Sequence, residues 1–402
     1  MKIIVIGGGA AGFFAAIECA RKFSNSQVTL LEAGREPLAK VKISGGGRCN
    51  VSHHCFDNAQ LVQYYPRGSK ALRGAFSRFN PQDTVSWFAQ EGVKLKTEAD
   101  GRMFPISDSS QSIVNALLMA AQSSNVTVRT QAPVIKVTSG FEVHLKNQEK
   151  LTCDRLLIAT GGSPCGHQWA RDLGHQVVSP VPSLFTFNIR DDRLKDLLGI
   201  APQSVLLTIQ DGPKLRISST GPLLITHWGI SGPAVLKLSA WAARVLHQNA
   251  YKLNLVINWL PEYQERDLKD ELVKIKNSNA KKQVASYCPF NLPKRLWQRL
   301  VEAAEIPLQK IWAELSKTQL TSLELQLRAG SFRIEGKGVF KDEFVTCGGV
   351  DLSEINFKTI ESKICPGLYF AGEVLDIDGV TGGFNFQSAW TTGWIAGQSM
   401  GE

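Results

Sequence analysis

The segment KIIVIGGGAAG, Lys2 to Gly12, constrains what this chain can fold into more than any other. The β-branched run Lys2 to Ile6 reads as a buried parallel strand. Gly7 to Gly12 then turns the chain, Ala15 to Phe23 reads as a helix, and Val28 to Leu31 as the next strand. Across the turn, Gly7, Gly9 and Gly12 form G-x-G-x-x-G, with Ala10 and Ala11 between the last two. Gly7 permits the tight turn, Gly9 lets the backbone approach a pyrophosphate, and Gly12 lets the helix pack closely on the strand. The helix N-terminus adds partial positive charge for the phosphates. Glu32 ends the second strand, twenty residues after Gly12, where it can accept hydrogen bonds from a ribose diol. Strand, glycines, helix and acid together specify a β-α-β unit that binds a dinucleotide.

The same segment is not read as a secretion signal, because Gly7, Gly8 and Gly9 break its apolar run and only Lys2 precedes it. No uninterrupted apolar run of about eighteen residues follows, so neither a membrane helix nor a membrane partner is expected, and a cytoplasmic location is. The eight cysteines include no C-x-x-C pair. They read as reduced cytosolic thiols, and no metal site is expected.

At 402 residues the chain is too long for one ordinary core. Val134 to Val137 and Leu156 to Ala159 read as further strands, the second running into Thr160-Gly161-Gly162. After Phe185, strand-like runs (Val205 to Ile209, Leu223 to Thr226, Leu253 to Ile257) alternate with glycine and proline turns. Pro261 to Leu327 has a helical pattern, and the strand Leu368 to Ala371 then returns, followed by glycines and an apolar helix. Two α/β segments flanking a different middle indicate one domain interrupted by a long insertion.

The C-terminal segment selects FAD as the dinucleotide. GLYFAGEVLD, Gly367 to Asp376, resembles the second FAD fingerprint of flavoproteins with two dinucleotide-binding domains. In that likeness Gly372 follows the strand and Glu373 holds the ribityl chain, with Asp376 the nearby alternative. In GVTGGFNFQSAWTTGWIAG, Gly382, Gly383, Phe384 and Asn385 open the last helix. Its N-terminus can stabilise negative charge at the N1–O2 edge of a reduced flavin. Thr160 and Gly161 belong to an Ala-Thr-Gly strand end typical of the same flavoproteins, and Val134 is taken as a further cofactor contact. No second G-x-G-x-x-G is present, so NAD(P)H is expected as a transient electron donor.

KISGGGRCN, Lys42 to Asn50, lies where such proteins bring a loop to the cofactor. Ser44, Gly45, Gly46 and Gly47 would let it pass close, and Arg48 would neutralise phosphate or hold an anionic substrate. SGGGRCN, THWGISGPAVLKLS (Thr226 to Ser239) and the Gly379 to Gly397 segment resemble the YhiN/BaiN family of flavoproteins over nearly the whole chain. The resemblance implies a Rossmann-type FAD-binding α/β domain interrupted by an insertion with a β-barrel-like part and a helical part. The expected boundaries are 1–194 and 343–402 for the FAD domain and 195–342 for the insertion, its β part about 195–260 and its helical part about 261–330. Implied activities are NAD(P)H-dependent reduction of carbon–carbon double bonds in steroid-like enones, and dihydrouridine formation in large-subunit ribosomal RNA. Both deliver a hydride from flavin N5 and then a proton. Cys49, in the glycine loop, and His227, in the insertion, are the candidate proton donors.

Two other readings stand beside this one. Cys49 and Cys55 would be a redox pair in a dithiol–disulfide reductase, although that family spaces its cysteines differently and follows them with Pro-Ser-Lys. An RNA-binding protein with structural FAD would rest on charge. Residues 274–299 contain seven basic side chains and no acid, and residues 35–78 contain eight basic side chains against Glu36 and Asp57. Such runs are either a solvated face or a surface for a polyanion such as ribosomal RNA, with Tyr287, Phe290 and Trp297 interleaved for stacking. A small enone gives no reason for the basic insertion and a folded RNA does, so a ribosomal RNA uridine is the favoured substrate.

Overall fold

Lys2–Ile6 is the strand on which the first unit is built. Ile3, Ile4, Val5 and Ile6 are all buried, as expected of a parallel strand covered on both faces. It lies between Arg155–Ile158 and Gln27–Leu31 in a sheet of seven strands. The order is Ile355–Asn356, Glu361–Ser362, Leu368–Phe370, Arg155–Ile158, Lys2–Ile6, Gln27–Leu31, Thr127–Arg129. The five strands from Leu368–Phe370 to Thr127–Arg129 are parallel, and the remaining two complete the edge in antiparallel register. Ile6 is level with Leu31 and Ile158, and Ile158 with Phe370. This register brings Gly7, Glu32, Ala159 and Ala371 to the carboxyl edge of one sheet, the place where open α/β sheets bind ligands.

The computed structural model describes residues 1–211, 215–338 and 345–402. It divides into two units, Met1–Val181 with Val345–Glu402, and Pro182–Phe344. The first division thus falls earlier than the expected 194. The reason is local: Phe187 and Asn188 already form a strand paired with Gly229–Ile230 and Gly336–Lys337 inside the insertion.

The first helix spans Ala10–Lys22 rather than starting at Ala15. Of the three motif glycines only Gly7 takes a positive φ, so Gly9 caps the helix and Gly12 lies within it. The last helix, Phe384–Ser399, packs along the first. A Cβ on Gly393 would stand 2.5 Å from the Ala11 carbonyl oxygen, and one on Gly397 2.6 Å from that of Ala15. The two backbones are in contact because these positions carry no side chain. Val134–Thr138 does form a strand, but it joins a separate three-stranded sheet with Glu142–Leu145 and Lys150–Thr152.

Among the described residues the insertion contains two four-stranded antiparallel sheets, helices Pro233–Trp241 and Ala243–Gln248 within the expected β part, and, from Glu265 onward, helices at Glu265–Ser278, Lys294–Ala303 and Lys317–Ala329. Trp259, Trp297 and Trp312 are fully buried in its core. Trp297 stacks on Trp312 and donates its indole N–H to the Val284 carbonyl at 2.7 Å. This corrects the expectation that Trp297 is available to stack on bases: helical spacing puts it inside, and the cations around it outside.

Candidate cofactor-binding site

The glycine turn is built for close backbone contact. Gly7 has φ +115°, and a Cβ there would be 2.3 Å from the Ala159 carbonyl oxygen. A Cβ on Gly12 would be 2.0 Å from the Gly7 carbonyl oxygen. Gly9 differs, since no atom lies within 4 Å of where its Cβ would be. Space therefore stands in front of a helix N-terminus that has no side-chain cap. Open space, uncapped amides and helix dipole fit a pyrophosphate.

Glu32 is oriented by two backbone amides. Its Oε2 accepts from the Gly8 N–H at 2.8 Å and its Oε1 from the Gly34 N–H at 2.7 Å. A carboxylate offers about four lone-pair directions, so acceptor capacity remains for ribose hydroxyls. Gly8 escaped the sequence reading although a Cβ there would strike Glu32 Oε2 at 2.8 Å; its only signal was the run of three glycines. Ala132 N–H donates to the Glu32 carbonyl at 2.9 Å, which brings the segment leading to Val134 beside this acid.

The segment Ala39–Gly47 is helical through Ile43, and three left-handed glycines follow, Gly45, Gly46 and Gly47 at φ +57°, +69° and +84°. A side chain on Gly46 or Gly47 would meet nothing within 4 Å, whereas one on Gly45 would press on Asn50 N at 2.9 Å. Ser44 donates its hydroxyl to the Val41 carbonyl. Arg48 has partners of its own: Nη1 is 2.6 Å from Glu98 Oε1, and the guanidinium lies 4.0 Å from the Phe104 ring centroid. Its charge is thus balanced within the chain instead of standing ready for phosphate.

Cys49 is wholly buried, 0 % exposed. A side chain with no accessible surface packs the loop in this structure. Burial pushes the Cys49 thiol up to about 12, against a hydrogen bond with Ser44 that lowers it. The folded state holds this proton longer than the unfolded chain. The thiol therefore supports stability below its ordinary value of about 8.5 and withdraws that support as pH rises toward 12. We expect iodoacetamide at pH 8 to modify exposed Cys165 in the native protein and to reach Cys49 only after denaturation. Peptide mass spectrometry would read this, and early alkylation of Cys49 would refute the burial argument. Cys49 is buried and Cys55 half-buried, both as free thiols.

The C-terminal strand end closes the same edge of the sheet. Gly372 has φ +78° and donates its N–H to Thr392 Oγ1 at 2.9 Å. Glu373 Oε1 accepts from the Thr346 N–H at 2.8 Å, and its Oε2 is 3.1 Å from Lys40 Nζ. A Cβ on Gly161 would be 3.4 Å from that same Oε2. The strand end after Ile158, Glu373 and Lys40 therefore converge, and Thr160 Oγ1 is buried there without a hydrogen-bond partner. Lys40 was not recognised from sequence, because its partner is 333 positions away. The Asp376 N–H donates to the Val350 carbonyl at 3.1 Å. At the start of the last helix, the Asn385 amide takes both the N–H and the carbonyl of Gly379, at 2.8 and 2.9 Å, and so braces the glycine loop. Phe384 stacks on Tyr64 at 4.3 Å.

His227 belongs to the insertion, apart from all these residues in the chain's division. It is exposed, sits edge-on to Trp228 at 4.1 Å, and lines a cavity of about 980 Å³ with Asn188, Asp192, Thr226 and Glu335.

The family model described as HI0933-like protein Rossmann domain matches residues 1–399. The chain is 32% identical to the ribosomal RNA dihydrouridine synthase of Escherichia coli (strain K12), over 99% of this chain and 97% of that protein. It is 29% identical to the 3-dehydro-bile acid delta(4,6)-reductase of Clostridium scindens, over 100% of this chain and 99% of that protein. Among solved structures, the 3-ketosteroid delta1-dehydrogenase of Sterolibacterium denitrificans aligns with a TM-score of 0.51 at 11% identity, over 99% of each chain, a likeness of fold. Among the described residues, no helix is long and apolar enough to cross a membrane. By its full-length match, its parallel sheet and the cradle at the sheet's edge, the chain belongs to the HI0933-like Rossmann family and is a flavin-dependent oxidoreductase.

Proposed function

We propose that the protein reduces the C5–C6 double bond of a uridine in large-subunit ribosomal RNA, fed by NAD(P)H that enters and leaves the site. The observation that carries this reading is the surface of the insertion. Lys274, Lys281, Lys282, Lys294 and Arg295 are all exposed along a segment that contains no acidic residue. A small enone offers nothing for these charges to bind, whereas an RNA backbone does. Relatives named ribosomal RNA dihydrouridine synthase, at 32% and 30% identity, support the same substrate class.

FAD, when bound, supplies the hydride chemistry. The turn from Gly7 to Gly12, with Ala10 and Ala11 in the first helical turn, would hold its pyrophosphate, Glu32 a ribose, and Gly372 with Glu373 the ribityl chain. Gly382, Gly383 and the uncapped first turn of Phe384–Ser399 would face the ring and favour negative charge there. Ser44 to Gly47, Thr160 and Gly161 would line the same cradle. His227 is the residue we put forward to give the proton, being exposed and in the insertion that would present the substrate.

The test uses protein reduced anaerobically with NADPH and followed at the oxidised flavin band. Unmodified ribosomal RNA is added in one cuvette and a steroid enone in another. RNA alone should restore the oxidised spectrum. The triple variant K274E/K281E/K294E should bind RNA more weakly, with a salt slope reduced by about one per lost phosphate contact, and should leave any enone turnover unchanged. Reoxidation by the enone alone would make the protein a small-molecule reductase like the bile acid enzyme.

A further inference from the structure

We propose that Asn50 and His53 clamp one peptide group, Gly382–Gly383, from both sides, and that this clamp raises the reduction potential of the bound flavin. The inference rests on the flavin reading of the site and is independent of which substrate is reduced.

The carbonyl of Gly382 and the N–H of Gly383 belong to the same planar unit. His53 Nδ1 lies 3.0 Å from the Gly382 carbonyl oxygen. A carbonyl can only accept, so Nδ1 carries the hydrogen whether the ring is neutral or charged. With its amide oriented to satisfy both groups, Asn50 accepts from the Gly383 N–H at 3.0 Å and donates to the Ser52 carbonyl at 3.0 Å. Both polar ends of one peptide plane are thus held by side chains three positions apart. Such a plane cannot rotate without breaking one of the two bonds.

The surroundings are shaped to the clamp. Gly382 and Gly383 have φ of +132° and +95°, and a Cβ on Gly383 would stand 2.4 Å from the Ser52 carbonyl oxygen. Gly101 has φ +86°, and a Cβ there would strike His53 Nε2 at 2.5 Å. The His53 ring stacks on Phe384 at 4.6 Å and 28°. Gly383 is the N-cap of the last helix and has no side chain to offer that helix's first amides. These amides carry the positive end of the helix dipole, and the clamped plane fixes the direction in which they emerge. A ring that gains negative charge on reduction is stabilised most by amides that need not reorient. Asn50 and His53 are therefore positioning residues, and this gives the end of the SGGGRCN motif a physical task.

The experiment measures the two-electron midpoint potential of the FAD-loaded protein against a reference dye, without substrate, for wild type, Asn50→Ala, His53→Ala and His53→Gln. We expect both alanine variants to retain FAD and a near-native melting temperature. Their equilibrium for reduction should fall about tenfold, a shift of about 30 mV to lower potential. His53→Gln keeps an N–H donor and should recover most of the loss. Wild-type potentials in both alanine variants would overturn the proposal, as would equal shifts in His53→Ala and His53→Gln. If an alanine variant sheds FAD, His53→Leu against His53→Gln decides the matter, and equal potentials for that pair overturn it. Because no substrate is present, these outcomes are separate from the choice between RNA and enone.

Discussion

Gly12→Val should yield protein without flavin and with its first unit destabilised by about 3 kcal/mol or more. The Cβ alone would stand 2.0 Å from the Gly7 carbonyl oxygen and 3.4 Å from Val5 Cγ1. Neither neighbour can yield: Gly7 donates its N–H to the Leu31 carbonyl at 2.9 Å, and Val5 is the fully buried centre of the sheet. The helix would have to lift from the strand, and its N-terminus would leave the position where a pyrophosphate can meet it. The ratio of flavin to protein absorbance after purification, together with thermal unfolding, measures both effects. A Gly12→Val protein that is yellow and melts like wild type would remove the basis for the cradle described above. Gly9→Ala is the useful contrast: its Cβ meets no protein atom, so the fold should persist while FAD is lost.

The second large effect belongs to Arg67. Its guanidinium is paired with Asp378, whose side chain is 0 % exposed. The same two residues form an isolated bridge between backbones, next to the point where the Val380 N–H donates to the Tyr64 carbonyl at 2.9 Å and Tyr65 Oη to the Phe384 carbonyl at 2.7 Å. The segment around Arg67 is thereby fastened to the loop that precedes the last helix. Arg67→Ala should cost about 3–5 kcal/mol, because it removes the guanidinium paired with a buried carboxylate. The double variant R67M/D378L should recover much of that loss, since desolvation of both charges disappears together. Denaturant titration of the two proteins is decisive. A single variant as stable as wild type, or a double variant worse than the single, would contradict the buried-pair account.

Much of the cradle was legible in the sequence because its parts are local. Gly7, Gly9, Gly12 and Glu32 sit within one β-α-β unit, and each spacing follows from helix and strand geometry. The C-terminal strand and helix were legible for the same reason. What escaped the reading depends on residues distant in the chain. Arg48 faces Glu98, fifty positions away, and so is not an idle cation beside a glycine loop. Cys49 is buried in a loop of glycines and polar residues, and two positions on, the Val51 N–H is tied to the distant Met103 carbonyl. Lys40 with Glu373, and Arg67 with Asp378, join segments more than three hundred positions apart. The aromatic residues of the basic run were ambiguous by nature. A tryptophan among lysines at helical spacing serves a core or a nucleic acid equally well until its partners are known, and for Trp297 they are Trp312 and Val284.

The interrupted first unit has a consequence for how the protein is made. Arg155–Ile158 waits for its partner Leu368–Phe370, and the first helix for the last. Between the two halves the ribosome must translate residues 182–344, which is 344 − 182 + 1 = 163 residues. At ~5–20 residues per second, that is roughly 8–33 s during which the nascent chain carries an unpaired strand edge and a bare helix face. The insertion can complete its own core in that interval, whereas the flavin cradle can close only when Leu368–Phe370 and Phe384–Ser399 have left the exit tunnel. Flavin capture therefore waits for Leu368–Phe370 and Phe384–Ser399, and a chain stopped before them leaves the ribosome colourless and sticky.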